Sequence, residues 1–268
     1  MLKTRILTAL ALLPLMLAAL FFFPAPIWAG FSWLIVGLAL WEYSRMAGMG
    51  RPQQACYLVL SSLLAAVCWA MGWKAGPLLH GVVLAFWLAL MPCWLARRWT
   101  IPGGAPAWLL GWVLMLPAWF AFLEWRPQPS RHDALALLAV MGLVWVADIA
   151  AYFSGKAFGK RKLAPAISPG KSWEGVYGAV ICVAVYVALV DHFGWLDIKL
   201  PLWGLLLLAL PLTAVSVCGD LLESWFKRAA GVKDSSRLLP GHGGVYDRID
   251  SLIAVLAVSN ALRALGGM

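Results

Sequence analysis

Charge is scarce in this chain, and acid is scarcer than base. Of 268 residues only 12 are Asp or Glu against 21 Lys or Arg, which is 12% charged in all. A soluble domain carries roughly 25%, so there is too little charge here to coat a water-facing surface. The five cysteines (Cys56, Cys68, Cys93, Cys182, Cys218) all lie in or beside apolar runs, with no CxxC pair and no Cys/His cluster. Neither a disulfide framework nor a zinc site is indicated. The apolar runs lack the two-residue alternation of a lipid-facing barrel, which leaves helices as the way to satisfy the backbone in lipid. No soluble basic module is present, so the net charge of +9 does not point to nucleic acid. In a membrane chain such an excess marks cytoplasmic loops that meet anionic lipid.

What the chain has instead is hydrophobic residue, 63% of the total. It comes in runs of about 18 to 22, each enough to cross roughly 30 Å of hydrocarbon as a helix. The expected fold is therefore all-α, a polytopic bundle of about nine transmembrane helices. The spans are read at approximately 5–23, 27–46, 55–72, 76–95, 105–124, 134–154, 174–192, 201–219 and 250–267. Trp28, Trp41, Trp73, Trp99, Trp125 and Trp195 fall at run edges, where amphipathic rings prefer to lie. The first run follows Lys3-Thr4-Arg5 like a signal peptide, but it is long for a cleaved one and further spans follow, so it reads as a retained helix. Pro14, Pro117 and Pro211 fall inside spans and should kink or loosen them. Placing the N-terminus in the cytoplasm puts 16 of the 21 Lys and Arg on the inside, as the positive-inside rule demands. Two regions are expected: residues 1–132, about five helices, and residues 133–268, a catalytic region with cytoplasmic loops 155–173 and 220–250.

Carboxylates near a membrane are expensive and usually functional. Asp220 and Glu223 end the eighth span, with Lys227 one turn further, so i, i+3, i+7 spacing puts all three on one face. Asp247 and Asp250 repeat the pattern at the start of the ninth span, with Arg248 between them. If the two pairs face each other they form an oxygen-rich pocket suited to Mg²⁺, with room for a second cation. Asp148, two helical turns before Lys156, is a third candidate acid. The connecting segment carries Lys227, Arg228, Lys233 and Asp234, then Pro240-Gly241-His242-Gly243-Gly244. Cations beside carboxylates argue for an anionic substrate, and glycines let the backbone N–H groups approach phosphate. His242 is a candidate acid/base or hydrogen-bond donor. The other loop adds Lys156, Lys160, Arg161, Lys162, Ser168 and Lys171. Its Gly170-Lys171-Ser172 is not a P-loop, because the required earlier glycine is Pro165 and no strand is expected before it.

Ser224-Trp225-Phe226-Lys227-Arg228, Lys233-Asp234 and Leu239-Pro240-Gly241-His242-Gly243-Gly244-Val245-Tyr246-Asp247-Arg248-Ile249-Asp250 closely resemble the signature of CDP-diacylglycerol synthases, the phosphatidate cytidylyltransferases. The stretch from Asp148 through Tyr152-Phe153-Ser154-Gly155, Phe158-Gly159-Lys160 and Ile167-Ser168-Pro169 to Trp173-Glu174-Gly175 also looks like this family. It departs at Gly170, where relatives often have a second basic residue. The first half resembles the family only in being hydrophobic.

The resemblance implies transfer of the cytidylyl group of CTP to phosphatidate, giving CDP-diacylglycerol and pyrophosphate. It implies a metal centre at Asp220 and Asp247, with Glu223, Asp234 and Asp250 in supporting places. Lys227, Arg228, Lys233 and Arg248 are expected to hold phosphates, with Lys160 and Lys171 secondary, and Asp148, Ser168, Ser224, Gly241, Gly243 and Gly244 are expected around the substrates. The setting would be a bacterial inner membrane with the site on its cytoplasmic side, and a homodimer is left open. Two rivals remain. A CTP-dependent kinase of polyisoprenoid alcohols would have less need of basic residues, and a cation-coupled transporter would carry mid-span acids and paired broken helices.

Overall fold

The computed structural model describes residues 2–267. The side chains of Lys3 and Arg5, used in the orientation count, lie outside the described part. Among the described residues nine helices follow one another: α1 Leu2–Phe22, α2 Ala25–Met46, α3 Arg51–Ala70, α4 Pro77–Arg97, α5 Ala105–Trp125, α6 Arg131–Phe158, α7 Trp173–His192, α8 Leu202–Ala229 and α9 Tyr246–Leu265. Seven of them, α2 to α8, are long and apolar enough to cross a membrane, so the chain is an all-α polytopic bundle. The apolar part of α1 is shorter, Ile6–Phe22, and α9 carries Asp247, Arg248, Asp250 and Arg263 within its 20 residues. By length and composition seven of the nine expected spans qualify among the described residues.

Local chemistry sets the helix ends. The Ser130 and Ser172 side chains accept the N–H groups of Asp133 and Gly175, capping α6 and α7 in the manner of N-cap serines. Helix α8 closes at Gly231, whose φ of 68° is the left-handed conformation that glycine adopts freely. Both α6 and α8 run on beyond their apolar stretches, because charged side chains that pair or reach water do not interrupt helical backbone bonding. The expected loops at 155–173 and 220–250 shrink accordingly to 159–172 and 230–245. The first of these holds an antiparallel hairpin, β1 Lys162–Ala164 with β2 Ser168–Ser172, which the all-α expectation did not include. The chain stays helical through Pro14, Pro117 and Pro211. A π turn at Phe86–Leu90 precedes Pro92, whose ring would collide with the carbonyl four residues back.

Helix α9 lies at the centre, packed against α8, α5, α4, α6 and α2. Every residue from Ser251 to Ala261 is buried. Lipid gives helices little hydrophobic reason to associate, so close contact depends on small residues. Gly219 supplies one: a Cβ there would lie 2.7 Å from the Asp250 carbonyl oxygen and 3.1 Å from Ala254 Cβ. The acids at the end of α8 are thereby brought against the start of α9.

Hydrogen bonds fasten the two ends of the bundle separately. At one end Tyr43 Oη donates to the Ala107 carbonyl at 2.8 Å and Trp225 Nε1 to the Trp99 carbonyl at 2.7 Å. At the other, Arg126 Nε donates to the Leu20 carbonyl at 2.6 Å and Arg263 Nη2 to the Glu124 carbonyl at 2.8 Å. The two sets join opposite helix ends, as successive up-and-down crossings require.

Candidate active site

The acids and bases of the second half meet around one cavity of about 610 Å³. Helix α6 contributes Asp148, Tyr152 and Lys156, and the hairpin contributes Ser168 and Lys171. Asp220 and Lys227 come from α8, Asp234 from the following loop, and Asp247, Arg248 and Asp250 from the first turns of α9. Sequence positions more than 100 residues apart thus face one space. The hairpin is held over it by Glu174, which accepts the backbone N–H groups of Lys160 and Arg161 at 3.1 Å and Arg161 Nε at 3.1 Å.

Two lysines occupy the acids, in different ways. Lys171 Nζ lies 2.6 Å from Asp220 Oδ2, with the two side chains 23% and 31% exposed. Lys227 Nζ lies 2.5 Å from Glu223 Oε2 and 2.6 Å from Asp247 Oδ1, and those carboxylates are 0% and 4% exposed. An exposed pair contributes about 0–1 kcal/mol, whereas opening a buried one by removing a partner costs about 3–5 kcal/mol. The Lys171 pair is therefore the weaker and more water-accessible one, while Lys227 chiefly holds two buried carboxylates in place.

The acids differ in how fully they are used. Asp247 Oδ1 accepts from Lys227, and its Oδ2 accepts from Ser235 N–H at 2.9 Å, Ser235 Oγ at 2.9 Å and Gly244 N–H at 2.7 Å. Asp220 accepts Ser224 Oγ at 3.2 Å besides Lys171. Asp250 Oδ1 accepts the adjacent Ser251 N–H at 2.7 Å. Asp148 has no hydrogen bond or ion pair among the described residues. Asp148, Asp220 and Asp250 lie within electrostatic reach of one another, with Lys171 and Arg248 beside them. No three His, Cys, Asp or Glu among the described residues form a ready-made metal cage. The oxygens with spare acceptor capacity fit Mg²⁺ nonetheless, since that ion takes one or two carboxylates and completes its shell with water and substrate phosphates.

Several expected residues lie outside the cavity wall. Lys160, Arg228 and Lys233 are exposed to the surroundings. Glu223 sits behind the wall under Lys227, and Ser224 acts through Asp220. Gly241 and Gly243 have φ of 78° and 84° and shape the turn, which carries the Leu239–Gly243 bridge. His242 Nδ1 is buried without a hydrogen-bond partner among the described residues. At Gly244, expected to approach phosphate, a Cβ would run into Ser235 Oγ and Glu42 Oε1. Its glycine makes room for protein side chains. The sequence reading missed Ser235, Ser236 and Glu42. Glu42 had a visible signal, as the sole acidic residue in the first 123.

The pattern that defines the cytidylyltransferase family matches residues 3–265. The chain belongs to that family. It is 43% identical over 266 residues to the phosphatidate cytidylyltransferase of Pseudomonas aeruginosa, covering 98% of this chain and 97% of the relative. It is 38% identical over 279 residues to that of Haemophilus influenzae, covering 96% of each. A phosphatidate cytidylyltransferase of Staphylococcus epidermidis is 44% identical over 141 residues, 53% of this chain and 52% of its own. For this cytidylyltransferase family member the first half, which the sequence reading matched to relatives only in hydrophobicity, lies within the shared region.

Proposed function

We propose that this chain transfers the cytidylyl group of CTP to phosphatidate, forming CDP-diacylglycerol and pyrophosphate for phospholipid synthesis. The observation that carries the reading is the single cavity in which Asp220, Asp247, Lys171, Lys227 and Arg248 meet at the ends of apolar helices. The names of full-length relatives agree with it. A phosphate oxygen of phosphatidate attacks the α-phosphorus of CTP. The bond from that phosphorus to the bridging oxygen breaks, and the oxygen leaves with pyrophosphate. The attacking oxygen is already anionic at neutral pH, so the protein's task is to align the groups and neutralise charge.

Lys171 and Arg248 face the cavity and are the cations placed to meet phosphate. Lys227 keeps Asp247 and Glu223 in position. Mg²⁺ would be held by Asp220 together with Asp148 or Asp250, and by the acceptor capacity that Asp247 Oδ1 retains beside Lys227. When bound, the ion would neutralise phosphate charge as the leaving group departs. CTP is water-soluble and phosphatidate keeps its acyl chains in lipid, so a site at helix ends serves both. We place it on the cytoplasmic face of a bacterial inner membrane.

The test is purified protein in mixed micelles with radiolabelled CTP, Mg²⁺ and either phosphatidate or a polyisoprenoid alcohol. Labelled liponucleotide with phosphatidate is expected. Phosphorylated alcohol, or no lipid product, would overturn the reading.

A further inference from the structure

Glu42 lies on α2, far in sequence from every other acid of the site, and its side chain is wholly buried. Among the described residues it has no Lys or Arg partner. Its carboxylate instead faces four hydrogen-bond donors of one distant segment. Oε1 takes Ser236 Oγ at 2.5 Å and Val245 N–H at 3.0 Å. Oε2 takes Tyr246 N–H at 2.6 Å and Ser235 Oγ at 3.0 Å. The backbone donors belong to the start of α9, where Val245 occupies the cap position and offers no side-chain acceptor. The first N–H groups of a helix need an acceptor from somewhere, and here it comes from another helix.

The same contacts reach Asp247. Ser235 Oγ stands 3.0 Å from Glu42 Oε2 and 2.9 Å from Asp247 Oδ2, and its one hydrogen can serve only one of them at a time. Ser235 N–H and Gly244 N–H complete the hold on Asp247 Oδ2. Glu42 therefore lies one side chain away from an acid of the cavity, and it fixes both the loop before α9 and the first turn that carries Asp247, Arg248 and Asp250. A carboxylate offers acceptors only, whereas Gln would turn an NH₂ donor toward donors.

We propose that Glu42 is a positioning residue: it caps α9 from α2, sets the 235–246 segment, and so aims Asp247 and its neighbours into the cavity. Its effect on turnover rests on the function proposed above, whereas its effect on the segment does not.

The experiment compares wild type, Glu42→Gln and Ser236→Ala as monodisperse protein in detergent. Hydrogen exchange by mass spectrometry is followed over residues 234–247, and kcat and KM are measured with CTP and phosphatidate. In Glu42→Gln, exchange at Val245 and Tyr246 should speed by about tenfold or more, since a hydrogen bond to a charged group contributes about that factor. The kcat per folded molecule should fall by a similar factor or more, while α5 and α6 keep their protection. Ser236→Ala should move both quantities the same way by less, and it decides the matter if Glu42→Gln does not fold. Unchanged exchange in the segment would overturn the proposal, as would faster exchange with kcat intact, which is what a purely stabilising contact gives. A wild type that makes no liponucleotide would sink the functional reading instead, and the exchange result would still decide whether Glu42 holds the segment.

Discussion

Lys227 and Lys171 both touch carboxylates, yet their removal should have opposite signatures. Replacing Lys227 with Met leaves Glu223 and Asp247, 0% and 4% exposed, without the cation that bridges them. Uncompensated buried charge of this kind costs about 3–5 kcal/mol. Replacing Lys171 with Met breaks a pair that is 23% and 31% exposed, worth about 0–1 kcal/mol. One kcal/mol shifts the midpoint of a chain this size by about 2–4 °C, so Lys227→Met should lose roughly 6–20 °C and Lys171→Met at most about 4 °C. Adding Glu223→Gln to Lys227→Met removes one of the stranded charges and should return a third or more of the loss, a coupling that a double-mutant cycle reads directly. Thermal midpoints by fluorescence-detected size exclusion in one detergent would measure all five proteins: wild type, Lys227→Met, Lys171→Met, Glu223→Gln and the Lys227→Met/Glu223→Gln double variant. Turnover should follow a different order. Lys171→Met should drop by about tenfold or more despite its intact fold, because a phosphate-facing cation is gone. Equal midpoints for the two single variants, or a stable Lys227→Met with normal turnover, would refute the division of labour between the two lysines.

Asp220→Asn should cut liponucleotide formation by about 10²-fold or more with expression unchanged, whereas Asp247→Asn should cut it as far and also lower the midpoint, because it weakens a buried pair with Lys227; undiminished activity in either would count against the metal assignment. A chelator should abolish wild-type turnover and Mg²⁺ restore it, which a simple titration checks. Gly219→Val would force α8 away from the Asp250 carbonyl and Ala254, an overpacking that costs about 1–3 kcal/mol and should lower the midpoint. Gly244→Ala pushes a methyl into Ser235 and Glu42, and it should lower turnover by loosening the segment before α9, read as faster exchange at Tyr246.

The residues that carry the second half were legible because their chemistry is conspicuous against an apolar background. Asp220, Asp247 and Arg248 stand out in a chain with 12 acids, and their helical spacing gave the face they share. Asp148 was found for the same reason. The hairpin at 162–172 was not, because Ser168-Pro169-Gly170 is a poor strand former and its pairing is imposed by Glu174 from outside. Gly244 was assigned to phosphate because local sequence cannot show which side chains approach a glycine. Glu42 stood in plain view, but the donors it meets belong to the segment before α9, so its purpose could not be read from α2 alone.

Periodicity and composition by themselves determined a helical membrane protein, because runs of about 20 apolar residues can satisfy their backbone in lipid only as helices. They also determined that acids and bases gather at helix ends. Only the tertiary structure decided which of these groups share the cavity, that Lys227 is engaged between buried acids while the Lys171 pair stays half-exposed, and that Glu42 of the N-terminal half meets the segment before α9. The reason is that spacing along one helix fixes a face, while the partner of that face depends on how closely other helices approach. Here that approach is set by Gly219 against α9 and by four hydrogen bonds formed across some two hundred residues of chain.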